Sequence, residues 1–450
     1  MKNIDRNILR QKLREEDERF IREHPESGHL FEKAKHSLYD GVPMNWMIRW
    51  AGAYPVFVKE AKGNHFTDVD GKDYIDFCLG DTGAMTGHAP NGSIDVITDR
   101  IRKGTTFMLP TEDAIFVGEE LQKRFGLPYW QVALSATDAN RFSVRIARHI
   151  TGRKKILVFN WCYHGSVDET IITINDGVPG PRPGHIGEAV DPCLTTRVVE
   201  FNDIPALEEA LAHEDVACVL AEPALTNIGI VHPKPEFHKT LRELTRKYKS
   251  LLIIDETHTI CTGPGGYTRE FGLSPDMITL GKPIGSGIPG AVYGFSEEVG
   301  QRYGLLREPQ YADIGGIGGT LAGNALTLAA MRATFENVLT EDAYRRMISL
   351  AELFTDGLSR TIEEFELPWI VERLGCRAEY WFCSKPPENG GQAAAATDDE
   401  LDRYMHLSSL NRGILMTPFH NMALIAPSAD EEDIHRHTTV FREIVQNIMC

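Results

Sequence analysis

An apolar run that ends in two acids, followed by a single lysine, constrains this chain most. Residues 251–254 are four consecutive aliphatic residues, and Asp255 and Glu256 follow them directly. A second apolar stretch, residues 277–280, precedes Gly281 and Lys282, and Lys282 stands 27 residues after Asp255. Four aliphatic residues in a row indicate a strand that is buried on both faces, as in a parallel sheet. Because open α/β sheets place ligands at the carboxyl ends of their strands, the acid and the lysine predict a ligand site there.

Two nucleotide-binding motifs offer alternative interpretations of this region. The acidic pair fits a nucleic-acid-dependent ATPase, but such an enzyme needs the loop G-x-x-x-x-G-K-[ST]. Gly281 and Lys282 are followed by Pro283, and Asp276 lies five positions before Gly281, so this loop is missing from the sequence. Residues 285–290 match the glycine pattern of dinucleotide-binding proteins, yet a strand pattern follows them where that fold requires a helix. Neither motif therefore explains the lysine.

Asp255 and Lys282 are the two protein groups that pyridoxal phosphate chemistry needs. A buried acid can keep the pyridine nitrogen of that cofactor protonated, and a lysine amine can form a Schiff base with its aldehyde. Taken alone, Lys282 would be typical of a solvated loop lysine. The neighbouring acid changes this interpretation, and the pair predicts an enzyme that uses pyridoxal 5'-phosphate.

Charge and composition indicate a soluble globular protein with small-molecule partners. The 450 residues are 42% hydrophobic and 25% charged, which is ordinary for two or three compact domains. Lys and Arg total 47 against 64 Asp and Glu, which gives a net charge of -17. This sign is wrong for a chain whose main partner is nucleic acid or an anionic membrane. We therefore expect neither nucleic acid nor a membrane as a partner.

The cysteines and the N-terminal residues indicate a cytoplasmic protein. The eight cysteines are scattered without any C-x-x-C pair, so they predict neither a disulfide framework nor a zinc site, and we expect no bound metal. Residues 1–22 are rich in charges and lack the apolar centre of a secretory signal. The sequence also has no run of about 18 apolar residues that would span a bilayer.

Strand and helix patterns alternate in the middle of the chain. Between about residues 112 and 300, short apolar runs alternate with helical patterns. The strand candidates are residues 131–136, 155–159, 217–221, 251–255, 277–280 and 290–295. Alternation of this kind predicts an α/β domain with a mostly parallel sheet flanked by helices.

The two ends of the chain predict a smaller α+β part. Residues 2–38 carry apolar side chains at helical spacing and predict one or two helices, and Asp70-Gly71 between apolar runs predicts a hairpin. Two long helical patterns, several strands and a last helix from Asp430 follow residue 322. We interpret the Gly- and Ala-rich residues 390–396 as a flexible loop of this part.

These patterns give a prediction of three segments. An N-terminal helical arm with the hairpin, residues 1–75, contributes to the small domain. A large cofactor-binding α/β domain spans residues 76–330, and a small α+β domain spans residues 331–450.

Several motifs, in order, resemble the class III aminotransferases of the fold-type I pyridoxal phosphate enzymes, in particular the branch similar to glutamate-1-semialdehyde aminomutase. The resemblance extends from about residue 55 to the C-terminus. Its motifs are Asp68-Val69-Asp70-Gly71 with Tyr74-Ile75-Asp76, Gly87-His88-Ala89-Pro90, Ser135-Ala136-Thr137-Asp138, Tyr163-His164-Gly165, Glu222-Pro223, Asp255, Lys282 and Gly319-Thr320-Leu321-Ala322-Gly323-Asn324. It implies a large, mostly parallel seven-stranded sheet domain, a smaller α+β domain and a homodimer with shared active sites.

The cofactor phosphate is expected at a helix N-terminus. Ser135, Ala136 and Thr137 precede a good helical pattern, and a helix N-terminus binds phosphate readily. The alternative is a plain N-cap, for which these residue types are common. Relatives usually carry Ser-Gly-Thr-Glu here, so Ala136 and Asp138 depart from the family pattern. The resemblance also implies that Gly319 and Thr320 reach the phosphate bound by the neighbouring subunit.

The resemblance implies further contacts around the cofactor ring. Tyr163, from the motif with His164, stacks on the pyridine face, the alternative being a buried core tyrosine. Glu222 lies near the phenolic side of the ring, with Asn227 a few residues further on. Thr257 packs on the ring where many relatives carry valine.

The two catalytic residues are expected to be Asp255 and Lys282. Asp255 pairs with the pyridinium nitrogen, while Lys282 forms the Schiff base and then moves the substrate proton. His258 is unusual for the family. A supporting polar role and a simple loop histidine are both open, and the second is favoured.

The substrate-facing residues depart from the aminomutase-like branch. An ungapped alignment places Trp46 where that branch has an arginine that binds the substrate carboxylate. With Met44 and Met47 nearby, Trp46 indicates an apolar wall for a bulky or aromatic amine, since an aromatic ring cannot pair with a carboxylate. An alignment shifted by three residues would put Arg49 there instead. His420 lies in the segment that resembles the substrate-facing end of the family.

The leading functional prediction is a pyridoxal phosphate-dependent transaminase. It would move an amino group from an amine or amino acid to a keto acid by ping-pong half-reactions through Lys282. The alternative within the fold is a glutamate-1-semialdehyde-type 2,1-aminomutase or an amino acid epimerase. A catalytically silent relative is the alternative from another class, and the presence of Lys282, Asp255 and Thr320 together argues against it.

Overall fold

The computed structural model describes residues 4–306, 315–418 and 420–449. They divide into two compact units. The larger unit consists of Asn91–Glu341 and Pro387–Ala395, and the smaller unit consists of Met1–Pro90, Asp342–Pro386 and Ala396–Cys450. The domain boundaries expected from the sequence remain a prediction; they divide the chain into residues 1–75, 76–330 and 331–450.

Helices occur in both units. In chain order they are α1 (Arg6–Glu23), α2 (Pro25–Ala34), α3 (Asn91–Arg102), α4 (Asp113–Phe125), α5 (Ala136–Thr151), α6 (Pro192–Thr195), α7 (Ile204–Ala212), α8 (Phe237–Lys247), α9 (Gly266–Glu270), α10 (Glu297–Leu306), α11 (Ala325–Asn337), α12 (Glu341–Glu364), α13 (Gly390–Ala395), α14 (Asp399–Leu410) and α15 (Glu431–Gln446). Short 3-10 turns lie at Tyr39–Gly41, Asn45–Ile48, Asp168–Thr170, Thr259–Thr262 and Lys282–Gly285.

The strands form four sheets. In chain order they are β1 (Val58–Lys62), β2 (His65–Asp68), β3 (Asp73–Asp76), β4 (Tyr129–Ala133), β5 (Lys155–Phe159), β6 (Ile172–Asn175), β7 (Val178–Pro181), β8 (Thr196–Val199), β9 (Val216–Ala221), β10 (Leu251–Asp255), β11 (Met277–Leu280), β12 (Ala291–Phe295), β13 (Ile370–Leu374), β14 (Arg377–Trp381), β15 (Ile414–Leu415) and β16 (Met422–Leu424). Strands β6 and β7 pair as a small separate hairpin.

A seven-stranded sheet organises the larger unit. Its order is β4-β12-β11-β10-β9-β5-β8. Strand β10 pairs in parallel with β9 and β11, and β5 pairs in parallel with β8 and β9, whereas β12 runs antiparallel to both of its neighbours. This mostly parallel α/β sheet confirms the fold predicted from the alternating patterns. Strand β8 was not among the strand candidates, because its four residues contain threonine and arginine beside two valines.

Burial explains why the central strands have no polar face. All six residues of β9 and all five residues of β10 are buried. Helix α5 packs one apolar face on the sheet, with Val144, Ile146, Ala147 and Ile150 in the same core as β9 and β10. Both faces of the sheet are therefore covered, as expected of parallel strands.

The smaller unit contains a mixed sheet, in which β15 runs parallel to β3, an antiparallel sheet and several helices. One sheet has the order β1-β2-β3-β15 and the other the order β13-β14-β16. Strands β2 and β3 form the hairpin predicted from Asp70-Gly71, and Gly71 adopts a positive φ of 83° in the turn. Helices α1 and α2 confirm the predicted pair of N-terminal helices. Helix α15 begins after Asp430, whose side chain forms a capping box with Asp433.

The prediction of a flexible loop at residues 390–396 is wrong. Residues 390–395 form helix α13 and belong to the larger unit, whereas Ala396 follows the helix and belongs to the smaller unit. Gly390 lies so close to the chain that a Cβ atom there would come within 2.1 Å of the carbonyl oxygen of Asn160. Ala393 is fully buried. The small residues thus allow close packing, which is the physical reason for a glycine- and alanine-rich sequence here.

Within the described ranges, no helix is both long and apolar enough to cross a membrane.

His437 on α15 gives the smaller unit a measurable sensitivity to acid. Its ring lies among the rings of Phe77, Phe354 and Phe441, and burial lowers the pKa of His437 to about 3. The unfolded chain therefore binds more protons below pH 6.5, so stability is lost as the pH falls from about 6.5 towards 3 and is unaffected above 7. His437→Met replaces the imidazole by a side chain of similar volume that does not titrate. Relative to the unchanged protein, the free energy of unfolding of this variant should rise by about 2 kcal/mol when the pH drops from 8 to 5.

Urea unfolding followed by tryptophan fluorescence at both pH values measures this difference. If the free energies of unfolding of His437→Met and the unchanged protein differ by the same amount at pH 8 and at pH 5, His437 is not a buried neutral histidine.

Candidate active site

Four parallel strands bring most of the predicted residues to one edge of the large sheet. Asp255 is the last residue of β10, Glu222 directly follows β9, and Lys282 stands two residues after the end of β11. Tyr163 and His164 follow β5 by four and five residues. Because β5, β9, β10 and β11 run in the same direction, their carboxyl ends lie on the same side of the sheet.

Asp255 is buried and fully engaged in hydrogen bonds. It is only 4% exposed. Its Oδ2 accepts from His164 Nδ1 at 2.9 Å and from Asn140 Nδ2 at 2.8 Å. Its Oδ1 accepts from the backbone N–H of Thr257 at 3.1 Å. The sequence therefore provides three donors that fix the carboxylate in one orientation.

Asp255 and His164 form a buried charge pair. Burial opposes the charged form of both groups. For Asp255, the hydrogen bond and the positive charge of His164 outweigh burial and lower the pKa below its ordinary value. For His164, the neighbouring Cys162 and the Asp255 carboxylate outweigh burial and raise the pKa above its ordinary value. Asp255 is therefore a carboxylate at neutral pH.

Asn140, which the sequence analysis did not single out, links this pair to the rest of the edge. Its Nδ2 donates to Asp255 and to the carbonyl oxygen of His164, the latter at 3.1 Å, and its Oδ1 accepts from Thr279 Oγ1 at 2.6 Å. Asn140 lies on α5, one helical turn after the predicted phosphate-binding residues. A buried asparagine in the second turn of a helix that starts at a candidate site is a sequence signal that could have identified it.

Lys282 is held by an unusual backbone. Its φ is +55°, in the left-handed region that residues with a Cβ rarely adopt, and such a conformation costs of order 1–3 kcal/mol. The preceding Gly281 packs against the start of α5, where a Cβ atom would meet Ala136 Cβ at 3.0 Å. The Nζ of Lys282 lies 2.7 Å from Nε2 of His258. His258 is only 6% exposed, so the interpretation as a simple loop histidine is wrong.

The N-terminus of α5 is capped and closely packed. The side chain of Ser135 accepts from the backbone N–H of Asp138, so both the plain N-cap and the helix start predicted here are present. The first backbone N–H groups of a helix, those of Ala136 and Thr137 here, have no partner within the helix. Gly165 lies over this turn, and a Cβ atom there would come within 2.0 Å of Thr137 Oγ1. Only glycine fits at that position.

Glu222 and Tyr163 are joined through the backbone. Glu222 is buried, and its Oε1 accepts from the N–H of Tyr163 at 3.2 Å. Its Oε2 accepts from both the N–H and the hydroxyl of Thr226. Burial raises the pKa of Glu222, against these hydrogen bonds and the positive charge of His164. Asn227 follows in the turn that the backbone pair Leu225 and Val231 closes, and it is half-buried.

Thr257 offers a polar atom that the protein itself does not satisfy. The residue is 4% exposed, and its Oγ1 is buried without a hydrogen-bond partner within the described part of the chain. A buried hydroxyl without a partner costs free energy unless a bound group satisfies it. Thr257 therefore marks a position where a polar ligand atom fits.

Gly319 and Thr320 line a cavity of the larger unit. Both are exposed, and the cavity, about 450 Å³ in volume, is also lined by Met108 and Leu109. Leu109 is 71% exposed and Met108 is 74% exposed. An apolar surface of this kind beside Thr320 is typical of a surface that another chain covers.

The two predicted substrate residues belong to the smaller unit. Trp46 lies in the 3-10 turn Asn45–Ile48 and is exposed, as are Arg49 and the neighbouring Met47. Nδ1 of His420 lies 2.8 Å from Oε1 of Glu379, a buried carboxylate. His420 therefore carries an acidic partner of its own, which the sequence analysis did not anticipate.

Comparisons with known proteins identify the family. The model of the family described as aminotransferase class-III matches residues 47–442. A glutamate-1-semialdehyde 2,1-aminomutase from Anaeromyxobacter dehalogenans is 31% identical over 426 residues, which cover 92% of this chain and 96% of that one. The chain belongs to the class III aminotransferases.

Solved structures give a second set of similarities. A crystal structure described as a glutamate-1-semialdehyde aminomutase from Pseudomonas aeruginosa PAO1, a lysine-to-alanine variant in complex with PMP, is 49% identical, with a TM-score of 0.97 and coverage of 99% of both chains. An omega-transaminase from Sphaerobacter thermophilus is 26% identical, with a TM-score of 0.85 and coverage of 94% of this chain and 97% of that one. The fold is that of a fold-type I pyridoxal phosphate enzyme, and the cofactor is pyridoxal 5'-phosphate.

The residues at the sheet edge fit this cofactor. Asp255 supplies a buried negative charge for a pyridinium nitrogen, the start of α5 supplies backbone donors for a phosphate, and Lys282 supplies an amine for an aldehyde. Packing brings these three groups together. Gly281, which precedes Lys282, lies against Ala136 at the start of α5. Asn140 of the same helix donates a hydrogen bond to Asp255.

Proposed function

We propose that this enzyme is a glutamate-1-semialdehyde-type 2,1-aminomutase, which exchanges an amino group and an oxo group between neighbouring carbons of one substrate. The observation that carries this proposal is the 49% identity to the P. aeruginosa aminomutase over 99% of both chains. The 31% identity to the aminomutase of A. dehalogenans supports it. The transaminase of bulky amines becomes the second candidate.

Lys282 is proposed to bind the cofactor and to move the substrate proton. The cofactor, when bound, supplies an electron sink that makes a proton on the carbon next to the amine removable. The amine of Lys282 then accepts that proton at Nζ and returns it to a different atom. Positioned proton transfer of this kind is typically worth about 10² to 10⁴ in rate. An aminomutase needs this transfer in both halves of its reaction, on a substrate that stays bound.

Asp255 is proposed to hold the protonated pyridine nitrogen. His164 and Asn140 support this role, because they fix the carboxylate and keep it ionised. A fixed charge in a buried site needs no reorganisation during the reaction, so its electrostatic effect on the transition state is large. Tyr163 is proposed to stack on the ring and Thr257 to pack on it, and Glu222 and Asn227 are proposed to lie near its phenolic side.

The phosphate is proposed to bind at the start of α5, to Ser135, Ala136 and Thr137. Gly319 and Thr320 are proposed to reach the phosphate in a second copy of the chain, so that the protein is a homodimer with shared active sites. The exposed apolar side chains beside Thr320 support this proposal, since Met108 and Leu109 would be covered in a dimer.

We propose a cytoplasmic location on the evidence of the cysteines. Five of the seven cysteines in the described residues are buried, and Cys78, Cys162, Cys193, Cys218 and Cys383 lie outside disulfides. Burial raises the pKa of Cys78 and Cys218 to about 12, so these thiols are inert. Free thiols fit a reducing compartment.

The second candidate is a transaminase that accepts bulky or aromatic amines. Trp46 favours it, because this ring stands where the ungapped alignment puts the arginine that binds a substrate carboxylate. Such an enzyme would leave the donor's nitrogen on the cofactor and would need a keto acid to complete its cycle.

One experiment separates the two candidates. The protein loaded with pyridoxamine phosphate is given glutamate-1-semialdehyde alone, and NMR follows its conversion into the 1-amino-2-oxo isomer. An aminomutase converts many equivalents of substrate per active site without any keto acid. A transaminase instead passes the one amino group of its cofactor to the aldehyde, so it consumes at most one equivalent of the semialdehyde; it turns over continuously only when 1-phenylethylamine is added as donor and pyruvate as acceptor, which gives acetophenone and alanine. No conversion under either condition would overturn both proposals.

A further inference from the structure

His258 contacts the amine of Lys282 and has no role in the function proposed so far. The two nitrogens, His258 Nε2 and Lys282 Nζ, are 2.7 Å apart, which is hydrogen-bond distance. His258 is 6% exposed, while Lys282 is half-buried. An imidazole nitrogen can accept a hydrogen bond from a lysine in either protonation state, because an ammonium and a neutral amine both carry N–H groups.

The loop that carries His258 is anchored independently of Lys282. The next residues, Thr259–Thr262, form a 3-10 turn. The buried carboxylate of Glu256 anchors this loop, because it accepts hydrogen bonds from the backbone N–H groups of Tyr267 at 3.0 Å and Thr268 at 2.6 Å. Gly266 lets Glu256 approach this closely, since a Cβ atom at residue 266 would meet Glu256 Oε2 at 2.5 Å. The backbone that carries His258 is therefore anchored by contacts that do not involve Lys282.

Lys282 needs such a partner when it is not bonded to the cofactor. Its side chain has four rotatable bonds, so an unrestrained lysine loses rotamer entropy when one geometry is required. The backbone at Lys282 is fixed by Gly281 and the 3-10 turn Lys282–Gly285, but this fixes only the base of the side chain. A hydrogen bond at the far end of the side chain restricts the amine itself.

We propose that His258 is a positioning residue for Lys282: it accepts a hydrogen bond from the Lys282 amine and holds that amine ready to bond to the cofactor aldehyde and to take up the substrate proton. This inference rests on Lys282 as the residue that carries the cofactor, but it is independent of the choice between aminomutase and transaminase. When Nε2 is the unprotonated ring nitrogen of His258, the amine donates in this contact and its nitrogen keeps its lone pair for bond formation. His258 itself neither binds the cofactor covalently nor takes the substrate proton.

The test compares two events that need different parts of the site. Pyridoxal phosphate must bind and also become attached to Lys282, whereas pyridoxamine phosphate has no aldehyde and only binds. Full-length cofactor-free protein is mixed with pyridoxal phosphate, and the growth of the visible band gives the rate of attachment. Binding of pyridoxamine phosphate is measured by equilibrium dialysis.

His258→Leu should slow attachment at least about 10-fold and leave pyridoxamine phosphate affinity within about 2-fold. His258→Gln, which keeps a hydrogen-bond acceptor near the same place, should recover most of the attachment rate. Thr262→Val serves as a matched control, because its hydroxyl caps the same 3-10 turn at Thr259 O without touching Lys282. It should leave both measurements unchanged.

Three results would overturn the proposal. Attachment at the unchanged rate in His258→Leu would show that the contact does not position the amine. A parallel loss of pyridoxamine phosphate affinity, or equal slowing in Thr262→Val, would show that the histidine only supports the shape of the site. Failure of the proposed aminomutase activity is separate, since the unchanged protein would then still bind both cofactor forms but would not convert the semialdehyde.

Discussion

Lys282→Ala should remove covalent attachment of the cofactor and lower the turnover rate by at least about 10⁴-fold. The reason is that one amine serves as the attachment point and as the proton carrier, and positioned proton transfer alone accounts for about 10² to 10⁴. Pyridoxal phosphate should still bind, because the start of α5 and Asp255 are unchanged. The measurement is borohydride reduction of the loaded protein, followed by mass spectrometry of the peptide that contains residue 282.

An exposed lysine of the same unit provides the control for this experiment. Lys239 on α8 pairs with Glu236 at 2.8 Å on the surface, so Lys239→Ala should retain both attachment and turnover. Reduced cofactor on another lysine of Lys282→Ala, together with retained activity, would contradict the assignment of Lys282.

The large sheet was predictable because its strands are buried on both faces. A strand such as β10 has no polar positions, so its sequence indicates both its burial and its parallel neighbours. Asp255 and Lys282 then follow from their places at the ends of such strands. The hairpin of β2 and β3 was predictable for a different reason, since Asp70-Gly71 specifies a tight turn.

Contacts between distant residues were not predictable from the sequence. Asn140 and Thr279 are 139 residues apart and meet only because α5 packs across the end of β11. Likewise, nothing in the residues around His258 indicates Lys282 as its neighbour, 24 positions along the chain. Sequence patterns describe which face of an element is buried, whereas these hydrogen bonds depend on how the elements are placed in three dimensions.

Residues 390–395 show how composition can mislead. Glycine and alanine are typical of flexible segments, but they also permit close packing of backbone against backbone. Here the second effect prevails, because Gly390 and Ala393 have no room for a larger side chain or for solvent. The two cases differ only in the surroundings of the segment, which composition does not contain.

Asp255→Asn should reduce turnover about 10² to 10³-fold while Lys282 still captures the cofactor. The substitution keeps the shape of the side chain but removes the negative charge that would hold the pyridine nitrogen protonated, and loss of one fixed electrostatic partner costs about 2.7–4 kcal/mol in the transition state. The new amide also has only one oxygen for the donors of His164, Asn140 and Thr257, which share two oxygens in Asp255. Single-turnover kinetics of protein saturated with cofactor measure the chemical step without the effect of binding.

A second buried carboxylate separates the effect of the lost charge on turnover from a general effect on the fold. Asp276 precedes β11 in the same unit, is 6% exposed and pairs with Arg242 at 2.6 Å and 2.7 Å. Because breaking a buried ion pair destabilises a protein, Asp276→Asn should lower the midpoint of urea unfolding, yet its single-turnover rate should remain within about 2-fold of the unchanged protein. Equal losses of rate in both variants would assign the effect to disturbed packing. A rate in Asp255→Asn equal to that of the unchanged protein would mean that the pyridine nitrogen does not depend on Asp255, and the His164–Asp255 pair would then be structural only.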